Sequence, residues 1–395
     1  MCRPSRPPCI IGVSRLRAPP RQPSEAARTP AQWRTLAKRL TDWFKAEARA
    51  FPFRPETLDA PRDPYVVLVS EIMLQQTQAE RVMERFPKFM ARFPTMTSLA
   101  EASAGDVLAE WSGLGYYRRA RYLHEAAKAI VARGDAPVSR DEWLALPGIG
   151  DYTSGALAAF ISGELTPAVD GNVTRVIGRL MGSSDGVSRA QAATHVRAWM
   201  NAACRTSSRS ATPVTMPGML NESLIELGAT LCSPRNPLCD ECPLKASCVA
   251  KHEGRFVMAK NRSARSTPKP RLYCASVLVQ DSQGLILLEP RAASSIWPGL
   301  WQLPTLERET HEWTAAEVGD IAPERMLREM TAFTHHLTHR EVQFTAWHTL
   351  RLGVRDSKSI ARRRPGAEWF TYSQAIKLPL SSPQRRLLDL WQKGW

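Results

Sequence analysis

The sequence predicts an all-α domain followed by an α+β domain, and three observations carry that expectation. From about Thr29 to Val249 apolar residues recur at three- and four-residue spacing, the helical period. Beyond residue 271 the spacing turns to alternation, the period of strands. The chain has 395 residues, enough for two or three domains at roughly 100–200 residues each.

The elements follow in order. Residues 1–28 hold six prolines, six arginines and one acid, Glu25. So few apolar groups cannot offset the entropy of ordering, and a disordered basic tail is expected. Within residues 29–250 the segments Tyr65–Arg85, Ala104–Trp111, Arg119–Ala132 and Thr153–Ile161 read as helices. Asp63-Pro64 offers an N-cap with proline at the first helical position. Ser139 and Glu142 have capping-box spacing. Residues 251–271 read as a basic connector, with Pro268 and Pro270 near its end. In residues 272–395, Leu272–Val279, Leu285–Leu288 and Glu341–Thr349 read as strands and Asp281–Gly284 as a hairpin turn. Ala315–Met330 and Pro383–Trp391 read as helices.

Charge narrows the partner. Lys and Arg number 53 against 38 Asp and Glu, for +15. That balance favours a polyanion, either nucleic acid or an anionic membrane surface. No apolar run reaches the ~18 residues that cross a bilayer. The excess is uneven: residues 1–30 carry +5 and residues 251–271 carry +6. Tail and connector can therefore track phosphates. Of eight cysteines, four fall between Cys232 and Cys248. With no signal peptide in evidence, that clustering points to metal in a reducing compartment.

Four segments carry chemistry. Cys232, Cys239, Cys242 and Cys248 have the spacing C-x6-C-x2-C-x5-C, which suits one zinc ion or one iron–sulfur cluster. Leu146-Pro147-Gly148-Ile149-Gly150 lies between two helical stretches, where backbone N–H groups and a helix start suit a phosphate. Asp170, in Val169-Asp170-Gly171-Asn172-Val173, reads as the N-cap of the next helix and also as a carboxylate held ready beside the hairpin. Glu71 sits among Val67, Leu68 and Leu74. Lost hydration there raises a carboxyl pKa and makes a general acid, whereas a pair with Arg81 would make it structural.

These segments, with Ser70–Thr77 and Gly113-Leu114-Gly115-Tyr116-Tyr117, resemble in residues and order the adenine DNA glycosylase family. That family lies within the endonuclease III superfamily of helix-hairpin-helix glycosylases. The resemblance covers nearly all of residues 50–250. It extends through Trp297–Pro304 and Phe333-Thr334-His335 into the second domain. It implies an all-α helix-hairpin-helix glycosylase domain with an iron–sulfur loop, then an α+β Nudix-like domain. The four cysteines would hold one [4Fe–4S] cluster per chain, a staple aiming a basic loop with Arg235 and Lys245 at DNA. Glu71 would protonate the extruded adenine, Asp170 would stabilise the sugar cation, Tyr152 would support that charge, and Asn172 would position the carboxylate or water. Arg54 would contact the adenine site, although Phe53 precedes it where the family has Trp. Gln76 and Tyr116 would wedge into the base stack, and Gly148 and Gly150 would grip a phosphate. The loop Phe333-Thr334-His335-His336 would recognise 8-oxoguanine, with Thr334 in place of the usual Ser.

The implied partner is duplex DNA holding adenine opposite 8-oxoguanine, bound by a monomer away from membranes. The implied location is a bacterial cytoplasm, or a eukaryotic nucleus or mitochondrion. Tyr152 stands where bifunctional relatives carry a Lys, so no Schiff base and no strand cleavage are expected. The acidic Nudix signature is missing around Leu306–Glu324, so no phosphohydrolase activity is expected. Three rivals remain open: a bifunctional pyrimidine-lesion glycosylase, an inactive DNA-binding scaffold, and a nucleotide hydrolase.

Overall fold

The computed structural model describes residues 28–183, 185–204, 216–254, 269–292 and 295–394. The tail over residues 1–27 and most of the connector lie outside them. Helices build residues 30–252: α1 (Pro30–Glu47), α2 (Pro64–Leu74), α3 (Ala79–Arg92), α4 (Met96–Glu101), α5 (Ala104–Glu110), α6 (Arg118–Arg133), α7 (Arg140–Leu144), α8 (Asp151–Ile161), α9 (Gly171–Met181), α10 (Arg189–Cys204), α11 (Met216–Thr230) and α12 (Val249–His252). Their starts follow local chemistry. Thr29 and Gln32 close a capping box on α1, and the Asp63 carboxylate accepts from the Tyr65 and Val66 amides ahead of α2.

Two apolar cores result. One gathers Leu68, Ile72, Phe89, Trp111, Leu123 and Leu157 between α2, α3, α6 and α8. The other gathers Leu40, Val176, Trp199, Leu220 and Leu224 between α1, α9, α10 and α11. The functional side chains lie on helices that border these cores. Among the described residues no helix is long and apolar enough to cross a membrane.

The expected single helix over Tyr65–Arg85 is two. It breaks at Gln75-Gln76-Thr77, where Gln76 takes a left-handed φ of 54°. The cause is a distant side chain. The buried Arg119 guanidinium on α6 donates to the carbonyls of Ile72 at 3.0 Å and Met73 at 2.9 Å, and to that of Gln75. It thereby satisfies the carbonyl groups that the end of α2 leaves unpaired. Burial lowers the Arg119 pKa to about 10.

The second unit holds β1 (Arg271–Leu278), β2 (Ile286–Pro290), β3 (Trp301–Gln302), β4 (Thr305–Arg308), β5 (Leu327–His336), β6 (Glu341–Thr349), α13 (Val354–Arg362), β7 (Glu368–Phe370), α14 (Tyr372–Ala375) and α15 (Ser382–Gln392). One sheet has the order β4-β1-β6-β5, with β1 parallel to β6, and the second has the order β3-β2-β7. The expected helix over Ala315–Met330 is not present. Short 3-10 turns at Ala316–Val318 and Glu324–Met326 lead instead into β5, which pairs antiparallel with β6. Leu327, Met330 and Phe333 find apolar partners on that sheet, so tertiary pairing overrides the local helical spacing. Phe333, Thr334 and His335 thus lie on a strand, not in a loop.

The two units pack directly. Leu300 is fully buried in the first unit's core with Trp297 against it. The Tyr117 hydroxyl donates to the Leu380 carbonyl at 2.8 Å, and Arg121 donates to the Pro298 carbonyl.

Candidate active site

Glu71 lies on the face of α2 that meets α8, and only 9% of its surface is exposed. Burial pushes its pKa up to about 8, and the nearby charges of Glu222 and Asp170 push the same way. A hydrogen bond with Tyr152 and the charge of Arg54 oppose this without cancelling it. The carboxyl is therefore mostly protonated at neutral pH. Arg81, the alternative structural partner, forms no ion pair with it. Tyr152, in the first turn of α8, is itself raised well above its ordinary value, chiefly by burial and then by Glu71. It remains a neutral phenol, able to donate.

Asp170 caps α9. Its Oδ1 accepts from the Val173 amide at 2.8 Å and its Oδ2 from Asn172 Nδ2 at 2.9 Å. Arg175 donates in turn to Asn172 Oδ1 at 2.9 Å and anchors on the Gly228 carbonyl at 2.6 Å. Amide and carboxylate are thus fixed as one unit. Capping satisfies one oxygen of Asp170 and leaves the other on Asn172.

α11 contributes Glu222 and Glu226, which the motif reading passed over. Both are buried. Arg54 Nε reaches Glu222 at 3.3 Å and Arg54 Nη2 reaches Glu226 at 3.0 Å. Arg62 pairs with Glu222 at 2.5 Å and Arg49 with Glu226 at 2.6 Å. Burial alone would raise Glu226, but Arg49 and Arg54 hold it below the usual carboxylate range. Arg54 also lies over the rings of Phe51 and Phe44, which locks its guanidinium beside the acid cluster. The missed signal was present: two acids at i, i+4 beside Leu220, Leu224, Ile225 and Leu227, an anomaly like the one that singled out Glu71.

A cleft of about 1170 Å³ between the two units is lined by Gln76, Tyr116, Gly148, Trp297 and His335, among others. Gln76 and Tyr116 both adopt left-handed backbone, at φ 54° and 48°. Non-glycine residues occupy that region at a cost of about 1–3 kcal/mol, held by their surroundings. Tyr116 is 49% exposed, which sets aside a core role. Its hydroxyl meets Thr338 Oγ1 at 2.7 Å across the cleft. Gly148 has φ 74°, and a Cβ there would lie 2.3 Å from Tyr122 Cβ, so only glycine fits this turn. Gly150 is the N-cap of α8 and does not line the cleft. On β5, Phe333 stacks on Phe344 at 5.3 Å and His335 faces Trp297 at 5.8 Å. Thr334 is exposed on the opposite face of the strand.

The expectation of a [4Fe–4S] cluster is corrected. Among the described residues no group of three or more His, Cys, Asp or Glu side chains could hold a metal ion. Cys232, Cys239, Cys242 and Cys248 are free and line one apolar cavity of about 30 Å³ with Val176, Leu227, Leu231 and Leu244. Burial raises the thiols of Cys239 and Cys248 and takes Cys242 to about 11, favouring neutral S–H over thiolate. Cys232, Cys242 and Cys248 pack against the second helical core, where Arg179 donates to Cys232 Sγ at 3.3 Å and Cys248 Sγ lies 3.5 Å from the Arg179 carbonyl. Spacing brought them to one cavity without making them ligands.

Comparison with known proteins agrees with this layout. Residues 69–202 match the HhH-GPD superfamily of base excision DNA repair proteins, and residues 275–390 match the NUDIX domain. The chain is 29% identical to the adenine DNA glycosylase of Rattus norvegicus over 90% of this chain and 78% of that one. It is 31% identical to that of Buchnera aphidicola subsp. Baizongia pistaciae (strain Bp), over 70% of this chain and 76% of the relative. Identity to the Schizosaccharomyces pombe adenine DNA glycosylase is 30%, over 71% and 69%. A buried acid beside a capped carboxylate thus stands in a chain that belongs to the adenine DNA glycosylase family of HhH-GPD base excision repair proteins.

Proposed function

We propose that this protein removes adenine from duplex DNA by hydrolysing its N-glycosidic bond, acting where adenine lies opposite 8-oxoguanine or guanine. The observation that carries the reading is Glu71, a carboxyl buried on α2, raised to about 8 and hydrogen-bonded to Tyr152. Extruding a base costs a few kcal/mol, least at a mismatch, and Gln76 and Tyr116 stand at the mouth of the cleft to fill the gap. Glu71 gives its proton to the purine ring, so that the base departs neutral as the C1′–N bond breaks. The electron pair of that bond leaves with adenine, and positive charge develops on the deoxyribose. Asp170 stabilises that charge as an ionised carboxylate held by Asn172 and the Val173 amide. Water adds at C1′ and loses its proton to the Glu71 carboxylate, which restores the acid. The products are adenine and an abasic site. The logic is that of paired carboxylates in glycoside hydrolysis, one protonated and one ionised.

Tyr152 is a phenol where a lyase needs an amine, which supports a monofunctional enzyme. His335 borders the cleft from the second domain beside Trp297 and favours a stacking contact with the opposing base, while Phe333 stacks on Phe344 and does not line the cleft. Thr334 does not itself line the cleft, whereas His336, on the same face of the strand, does. A monomer suffices for this arrangement, working wherever the genome is kept. The test is adenine release from duplexes with adenine opposite 8-oxoguanine and opposite cytosine, and base release from a thymine glycol duplex. Release from the first alone is expected, with no borohydride-trapped adduct. No release from the first refutes the proposal.

A further inference from the structure

A second cavity, of about 350 Å³, opens on the seam between the two domains. Arg85 on α3 lines it from one side, and Arg385, Arg386 and Lys393, on and just after α15, line it from the other. The two sides converge on one turn. Arg85 packs its guanidinium on Gly113, where a Cβ would lie 2.8 Å from Nη2. Arg385 Nη2 stands 3.5 Å from the hydroxyl of the adjoining Ser112.

Among the described residues the one acid lining this cavity is Asp389, and it accepts a hydrogen bond from the Tyr372 hydroxyl at 3.0 Å. Arg85, Arg386 and Lys393 make no ion pair among the described residues. Two domains therefore bring cations to one hollow with too few carboxylates to balance them, an arrangement that an oxyanion relieves. Gly113 and Ser382 line this hollow and the large cleft alike, so the two spaces are contiguous.

We propose that the seam cavity takes a phosphate of the DNA backbone, from the strand that lies in the adjoining cleft. A phosphodiester there bridges Arg85 of the glycosylase domain to the second domain and clamps the two against each other. The inference rests on the DNA-glycosylase reading for its partner but not for its chemistry. Inorganic phosphate from solution shares that chemistry and is the alternative source.

The test measures affinity of the full-length chain for an undamaged duplex over a series of KCl concentrations. It uses the Glu71→Gln background, so that excision plays no part. Arg85→Gln and Lys393→Gln together are expected to lower the slope of log affinity against log salt by about 1, the share of one phosphate, and each alone by part of that. Arg85→Lys keeps the charge and restores the slope. Unchanged melting temperatures show that the variants fold. An unchanged slope in the double variant overturns the proposal. So does an unchanged slope with thermal stabilisation by inorganic phosphate, at fixed ionic strength, that only the double variant loses; the cavity then serves free phosphate. Failure of adenine release by the wild-type protein would sink the enzymatic reading and leave this binding result standing.

Discussion

Replacing Glu71 by Gln separates the two consequences of burying a carboxyl, because they have opposite signs. The carboxyl is raised from an ordinary 4.5 to about 8 by lost hydration and by the charges of Glu222 and Asp170. A folded-state pKa above the unfolded one contributes stability that is complete below the unfolded value. That contribution is lost as pH rises through the folded value. At 1.36 kcal/mol per pH unit, the loss amounts to about 3 kcal/mol by pH 7 and roughly 4–5 kcal/mol above pH 8. Gln keeps the shape and cannot ionise. Glu71→Gln is therefore expected to match the wild type in stability near pH 4 and to exceed it progressively up to about pH 8. Its adenine release should fall by about 10²–10⁴, the range for losing a general acid. The wild-type rate itself should drop tenfold per unit above about pH 8, as the acid ionises. Urea unfolding and single-turnover adenine release, both run across the pH series, give the two readouts. A stability difference that does not change with pH would refute the reasoning. So would a wild-type rate already falling between pH 5 and 6.

Three further substitutions test the neighbours. Tyr152→Phe removes the hydrogen bond that holds Glu71 down, so the alkaline limb of the rate profile should move to higher pH while the rate falls. Asp170→Asn keeps a good N-cap and should change stability by less than about 1 kcal/mol in urea unfolding. It removes a charge that raises Glu71, so its limb should move to lower pH, opposite to Tyr152→Phe, with at least about a hundredfold loss of rate. Arg119→Met leaves the carbonyls of Ile72, Met73 and Gln75 without their buried donor. A cost of about 3–5 kcal/mol is expected, lowering the melting temperature by roughly 10 °C. Duplex affinity should fall with it, as the Gln76 turn loosens.

Local patterns made much of this protein legible. Helix starts at Asp63 and Ser139, the switch from helical to alternating spacing and the anomaly of Glu71 in an apolar run each depend on a few neighbouring residues. Short-range sterics and hydration decide such features. Spacing misled where the deciding partner was far along the chain. β5 is a strand because β6 pairs with it, and α2 ends where Arg119, more than forty residues on, donates to its carbonyls. The four cysteines have ligand-like spacing, but among the described residues they form no group that could hold a metal ion.

The sequence by itself determined the two-domain plan, the basic balance and the placing of Glu71 within α2, Tyr152 in the first turn of α8 and Asp170 at the start of α9. Only the tertiary structure decided how acidic Glu71 is, because desolvation and through-space charge depend on what folds over a residue. It decided that Arg54 pairs with Glu222 and Glu226, and that Phe333 and His335 share one face of a strand while Thr334 takes the other. It also decided that Arg85 and Arg385 meet across a seam at Ser112-Gly113, residues far apart in sequence. Periodicity reports which side of an element is apolar; only packing reports what lies opposite.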